Sequence, residues 1–202
     1  ERKMESLLKS CGKEDLLSAF DELGLNSVED VALIEPSDLE SDLGIDAETA
    51  KSIVEKAKEQ HTFETRRAAV QSTWKAVEDS LSVDATKLFY KHLFETYPEV
   101  KPMFDNADMD AQAEKLYKTV GLAVKYLDDV EGLIPVLEEM GEKHAREYSC
   151  KREHYTAVGD ALIWTLKTGL GDAWTPDVAD AWTWVYGVIA KTMGDAGEKV
   201  NA

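Results

Sequence analysis

The sequence predicts an all-α protein in two parts, a small five-helix bundle over residues 1–60 followed by a larger helical domain over 61–202. Three observations predict it. Apolar residues recur every three or four positions along most of the chain, the strict alternation expected of strands is missing, and nearly all of the five prolines and twelve glycines fall between the periodic segments.

In the first part the segments are short: Met4 to Leu8, Asp15 to Leu23, Val28 to Leu33, Leu39 to Leu43 and Ala47 to Ala57, separated by Gly12, Gly24, Pro36 and Gly44. Ser37 and Glu40, just after Pro36, read as a capping box. Asp46 reads as the N-cap of the last short helix, whose Ala50, Ile53, Val54 and Ala57 form an inward stripe. No Gly or Pro breaks the stretch from Gln60 to Thr62, so that helix is expected to run on into the first long one as a stiff connection. From Phe63 onward the helices lengthen. Val70, Trp74, Val77 and Leu81 share one face, and Leu116, Val120, Ala123 and Leu127 another; Val178, Trp182, Val185 and Ile189 make a third after a helix start at Thr175-Pro176. Gly194 to Ala202 is expected to fray.

Charge narrows the partners. Forty acidic residues face 23 basic ones, a net charge of −17 that repels a phosphate backbone or an anionic lipid surface. Nucleic acid and membranes are therefore excluded as expected partners. No apolar run approaches the ~18 residues of a spanning helix, and no signal-like stretch opens the sequence. Cys11 and Cys150 are far apart and outside any C-x-x-C pattern, so neither a disulfide framework nor a thiolate metal cluster is expected, and a reducing cytoplasm is the default location.

Four histidines carry the search for chemistry. His61 and His92 read as solvated side chains. His144 differs, because it follows Leu133, Leu137 and Met140 at helical spacing and so continues an apolar face into the core. An inward imidazole needs a partner, and a backbone carbonyl and a metal ion are both open to it. A second unusual set is Tyr90, within Leu88-Phe89-Tyr90, and Gln112, one helical turn before Leu116 on an apolar stripe. A phenol and an amide aimed at an apolar space are costly unless something polar occupies it; a buried Tyr satisfied by a carbonyl and a Gln at the stripe's edge would explain them equally well. Between them Pro98 to Phe104 forms a turn-rich segment ending in an aromatic.

These residues carry a resemblance. Trp74, Leu88 to Phe94, Tyr97 to Phe104, Gln112 with Lys115-Leu116, Lys143-His144, His154-Tyr155, and Ala181-Trp182 with Tyr186 to Ile189 resemble the successive landmarks of a three-over-three globin fold, in order, from about Phe63 to Met193. The likeness is to bacterial haemoglobins and the haem domain of flavohaemoglobins; neuroglobin-like animal globins carry a histidine where this sequence has Gln112. The resemblance implies a haem b cofactor with His144 as iron ligand and Phe104 packed on the porphyrin. It places Leu116, Val120, Met140 and Val158 around the pocket, Lys115 within reach of a propionate, and Tyr90 with Gln112 as the pair that stabilises bound gas. In flavohaemoglobins a tyrosine matching Tyr155 and a glutamate on the last helix press on the ligating histidine; here the glutamate's place falls at Gly197, with Glu198 only adjacent, a departure from that pattern.

Residues 3–60 resemble a sterile alpha motif, carried by Phe20-Asp21-Glu22-Leu23-Gly24-Leu25, by Asp38-Leu39-Glu40 with Leu43-Gly44-Ile45, and by the amphipathic Ala50-Ile53-Val54 helix. That family implies protein association, as a homo-oligomer or with another protein partner. The function expected is reversible binding of O2, and of CO and NO, for storage, delivery or sensing. The alternative is a nitric oxide dioxygenase served by an external reductase, since no flavin or nicotinamide domain follows within these residues.

Overall fold

The computed structural model describes residues 2–80 and 82–201, so Glu1, Leu81 and Ala202 lie outside the described residues. Every regular element among the described residues is helical. The chain divides into two compact units, Glu1–Thr65 and Arg66–Ala202.

The first unit holds α1 (Arg2–Ser10), a 3-10 turn at Glu14–Leu16, α2 (Leu17–Glu22), α3 (Val28–Leu33), α4 (Pro36–Leu43) and the start of α5 (Ala47–Ser80). Its core is built from Leu7, Leu8, Phe20, Val31, Leu39, Ile53 and Val54 with smaller neighbours. The expected Asp46 cap is present, with the Thr49 amide donating to Asp46 Oδ1 at 2.9 Å. The capping box, however, lies at Ser27 and Asp30, where the Asp30 amide donates to Ser27 Oγ (3.1 Å) and the Ser27 amide to Asp30 Oδ2 (2.9 Å). At α4 the cap is Glu35 and Pro36 takes the first helical position. Ser37 is already the second residue inside the helix there, so the sequence pattern is offset by two residues from the geometry it needs. Ser27→Ala is expected to cost about 1 kcal/mol in a thermal melt.

The second unit begins in α5, which is continuous from Ala47 to Ser80 as the unbroken sequence suggested. It continues through α6 (Ser82–Thr96), a 3-10 segment at Pro98–Phe104, α7 (Met109–Lys125), α8 (Val130–Tyr148), α9 (Arg152–Leu170) and α10 (Pro176–Asn201). Val70, Trp74, Val77, Trp182 and Val185 anchor one part of its core, and the Trp182 indole N–H donates to the Thr73 hydroxyl at 2.9 Å, which satisfies both buried polar groups. The Thr175 hydroxyl caps α10, accepting from the Val178 amide. The expected fray at Gly194 is corrected: α10 runs on to Asn201, and Met193, Ala196 and Gly197 are buried. Glycine loosens an isolated helix, but here its missing side chain admits α8, whose contact with α10 is the most extensive between any two elements. Among the described residues no helix is long and apolar enough to cross a membrane.

Candidate functional site

Three helices deliver the residues singled out above. On α8, Asp129 caps the start by accepting from the Gly132 amide (3.1 Å), and at the other end the Cys150 amide closes back on the His144 carbonyl at 3.1 Å. His144 is half-buried, and its Nδ1 lies 2.7 Å from the Met140 carbonyl oxygen. A carbonyl only accepts, so Nδ1 carries the proton and Nε2 is left with a free lone pair. The carbonyl partner allowed by the sequence is therefore present, and it orients the ring without occupying the nitrogen that a metal would use.

On α6, Tyr90 is buried with Phe89, Leu93, Val100, Ala113 and Ala157, and Phe104, Leu116 and Val158 pack half-buried against the same cluster. The 3-10 segment starting at Pro98 presents Phe104 edge-on to Tyr90, ring centroids 5.5 Å apart. Burial pushes the Tyr90 phenol up to about 12, against a smaller opposing pull from the Gln112 side chain. The group is thus a neutral hydrogen-bond donor through the whole physiological range, and Gln112, half-buried one turn before Leu116, is the polar side chain that acts on it. Asp108 starts α7 and sets the direction of that helix by accepting from the Asp110 and Ala111 amides.

Met140 falls in a different cluster, with Leu133, Leu137, Tyr155, Met193 and half-buried Ile189. Val120 packs half-buried on the Trp74–Trp182 part of the core. Lys115 is exposed. The Tyr155 hydroxyl is buried beside the Cys150 thiol, and its ionisation is pushed up by burial and by that thiol. Among the described residues no three His, Cys, Asp or Glu side chains gather as a metal site, so His144 would act as a single protein donor.

Other side chains read differently from what the sequence suggested. His92 stacks on Trp164 with centroids 3.8 Å apart and planes 10° from parallel, and is half-buried rather than solvated. His154 accepts from the Lys151 amide at the start of α9. Ile189 packs half-buried against the Met140 cluster and Leu162 against the Tyr90 cluster. The α10 pattern had already put Ile189 on an inward face, but nothing in the sequence paired it with Met140.

The globin family model matches residues 87–193, the stretch that carries Tyr90, Gln112 and His144. The chain belongs to the globin family. Its similarity to the flavohaemoprotein of Bacillus subtilis is 37% identity over 107 residues, 52% of this chain and 27% of the relative. The flavohaemoprotein of Schizosaccharomyces pombe is 32% identical over 140 residues, 68% of this chain and 32% of the relative. This globin thus spans about a third or less of the length of these curated relatives. Among solved structures it resembles an engineered carbene transferase, a candidate nitric oxide dioxygenase from Rhodothermus marinus, with TM-score 0.60 and 27% identity over 68% of this chain and 94% of that one.

Globin membership and the flavohaemoprotein relatives imply a haem cofactor and binding of diatomic gases. The residues present fit such a group. His144 offers a correctly protonated imidazole. Phe104, Leu116, Val120, Met140 and Val158 are apolar and only half-buried, as side chains facing an apolar prosthetic group would be.

Proposed function

We propose that this globin holds haem b through His144 and binds O2 reversibly, with CO and NO as further ligands. The observation that carries the reading is the His144 imidazole, its Nδ1 proton committed to a backbone carbonyl and its Nε2 free to donate. Haem iron, when bound, supplies the coordination of the gas. Phe104, Leu116, Val120, Met140 and Val158 exclude water, Lys115 reaches a propionate, and Tyr155 supports the histidine side. Tyr90 and Gln112 donate hydrogen bonds to a ligand that carries negative charge, which favours O2 over neutral CO in a low-dielectric pocket.

The histidine's surroundings favour binding over turnover. Gly197 stands where the flavohaemoglobin resemblance expects a glutamate, and Glu198 is drawn to the Arg152 guanidinium at 2.8 Å. A neutral carbonyl pulls the imidazole proton less than a carboxylate would, so the ring remains a moderate donor. Similarity to flavohaemoproteins and to the Rhodothermus marinus protein supports a second reading, oxidation of NO to nitrate with O2 and electrons from an external reductase. Anaerobic addition of NO to the O2-loaded protein, then steady-state assay with a flavin reductase, tests the two. One stoichiometric oxidation without turnover is the expected result; sustained NO consumption would establish the dioxygenase instead.

Residues 1–60 are assigned to a sterile alpha motif-like association module and residues 61–202 to the globin. Support for association comes from Leu33, which is 75% exposed at the end of α3 and flanked in sequence by Glu29, Asp30 and Glu35. A large apolar side chain in an acidic setting suits a protein partner or a second copy of the chain.

A further inference from the structure

A β-carbon on Gly141 would lie 2.2 Å from the Met193 carbonyl oxygen, 2.6 Å from Met193 Cα and 2.8 Å from its carbonyl carbon. All three atoms are backbone in the interior of α10 and cannot rotate away as a side chain would. One turn further along α10, a β-carbon on Gly197 would meet the Gly141 carbonyl oxygen and the Ala145 β-carbon, both at 3.3 Å. The two helices therefore touch backbone to backbone at a point that only glycine permits.

That point lies in the turn that carries His144. Gly141 precedes it by three residues, Ala145 follows it directly, and the Met140 carbonyl that accepts the Nδ1 proton belongs to the same planar peptide unit as the Gly141 nitrogen. A shift of Gly141 moves the acceptor and the imidazole together. We infer that Gly141, backed by Gly197, is a positioning residue for the histidine: it sets the depth of α8 against α10 and so the height at which Nε2 is presented. The inference rests on His144 being the iron ligand. Restoring ordinary contact after adding a methyl at 141 requires the helices to part by about 1 Å, the difference between 2.2 Å and the 3.4 Å of normal packing; misplacement by ~1 Å is enough to disturb a site severely.

The test uses the full haem-loaded chain as Gly141→Ala, Gly197→Ala and, as a control on the open face of α10, Gly187→Ala, whose β-carbon would meet nothing within 4 Å. The readouts are the iron–histidine stretching band of the reduced, gas-free protein and the rate of haem transfer to an apo-globin acceptor. Gly141→Ala is expected to shift the band and accelerate haem loss about tenfold or more, Gly197→Ala to do so less, and Gly187→Ala to change neither. In a His144→Gly background supplied with free imidazole, which α8 no longer positions, Gly141→Ala should leave the band in place. A folded Gly141→Ala protein with an unmoved band overturns the inference, as does a shift that persists with free imidazole. If Gly141→Ala does not fold, an unmoved band in Gly197→Ala overturns it. A band that survives His144→Ala would sink the ligand assignment itself, and the positioning role with it.

Discussion

Tyr90→Phe is expected to speed O2 release by about 10- to 150-fold while leaving CO release nearly unchanged. The substitution keeps the aromatic ring that packs against Phe89, Phe94 and Phe104 and removes only the hydroxyl. A hydrogen bond to a charged acceptor is worth roughly 1.5–3 kcal/mol, which converts to that range at about 1.4 kcal/mol per tenfold. Stopped-flow displacement of each gas reads the difference directly; equal acceleration of both would remove Tyr90 from the distal role. The same residue sets an alkaline limit. Its phenol titrates at about 12 in the folded protein against an ordinary value of 10.0. Between these two values the unfolded chain loses the proton while the folded chain keeps it, which favours unfolding. Stability is therefore fully present below pH 10 and falls as the pH rises through about 12, and Tyr90→Phe should soften that fall in melts across the alkaline range.

His144→Ala is expected to abolish stable haem retention. Outer-shell partners of a metal ligand typically cost about 10- to 100-fold in affinity when removed, so loss of the ligand itself should exceed about 100-fold. Because His144 is half-buried and its ring contacts lie within α8, at Met140 and Tyr148, the helices should survive. The measurement is the porphyrin absorbance retained after gel filtration at matched protein concentration, alongside far-ultraviolet circular dichroism. Full retention of colour in a well-folded variant would mean that another group holds the iron.

How much of this was legible before the structure depends on the range of each interaction. The Asp46 and Thr175 caps were readable because a cap joins residues two or three apart, and the Ser37–Glu40 pattern shows the limit of that reading: α4 is capped at Glu35, two residues before Ser37, while the capping box that does form is Ser27–Asp30 at the start of α3, and a pattern of residue types does not record the difference. His144 was readable as an inward side chain on an amphipathic helix, because Leu133, Leu137 and Met140 mark the same face. The Met140 carbonyl as its partner was one of two open choices until the ring orientation was known.

Long-range encounters were not legible. Gly194 and Gly197 look in sequence like the end of a helix, whereas both are buried within α10, Gly197 against the Gly141 backbone of α8 and Gly194 against the Arg152 side chain of α9. His92 looked solvated because its stacking partner, Trp164, lies 72 residues away on α9. The linear order of residues thus determined the helical class, the helix starts at Asp46 and Thr175, and the inward face that carries His144, because periodicity and capping act within a turn or two. Only the tertiary structure decided which helix faces which and how closely α8 and α10 approach, because those outcomes depend on shapes meeting across distances that no local pattern encodes.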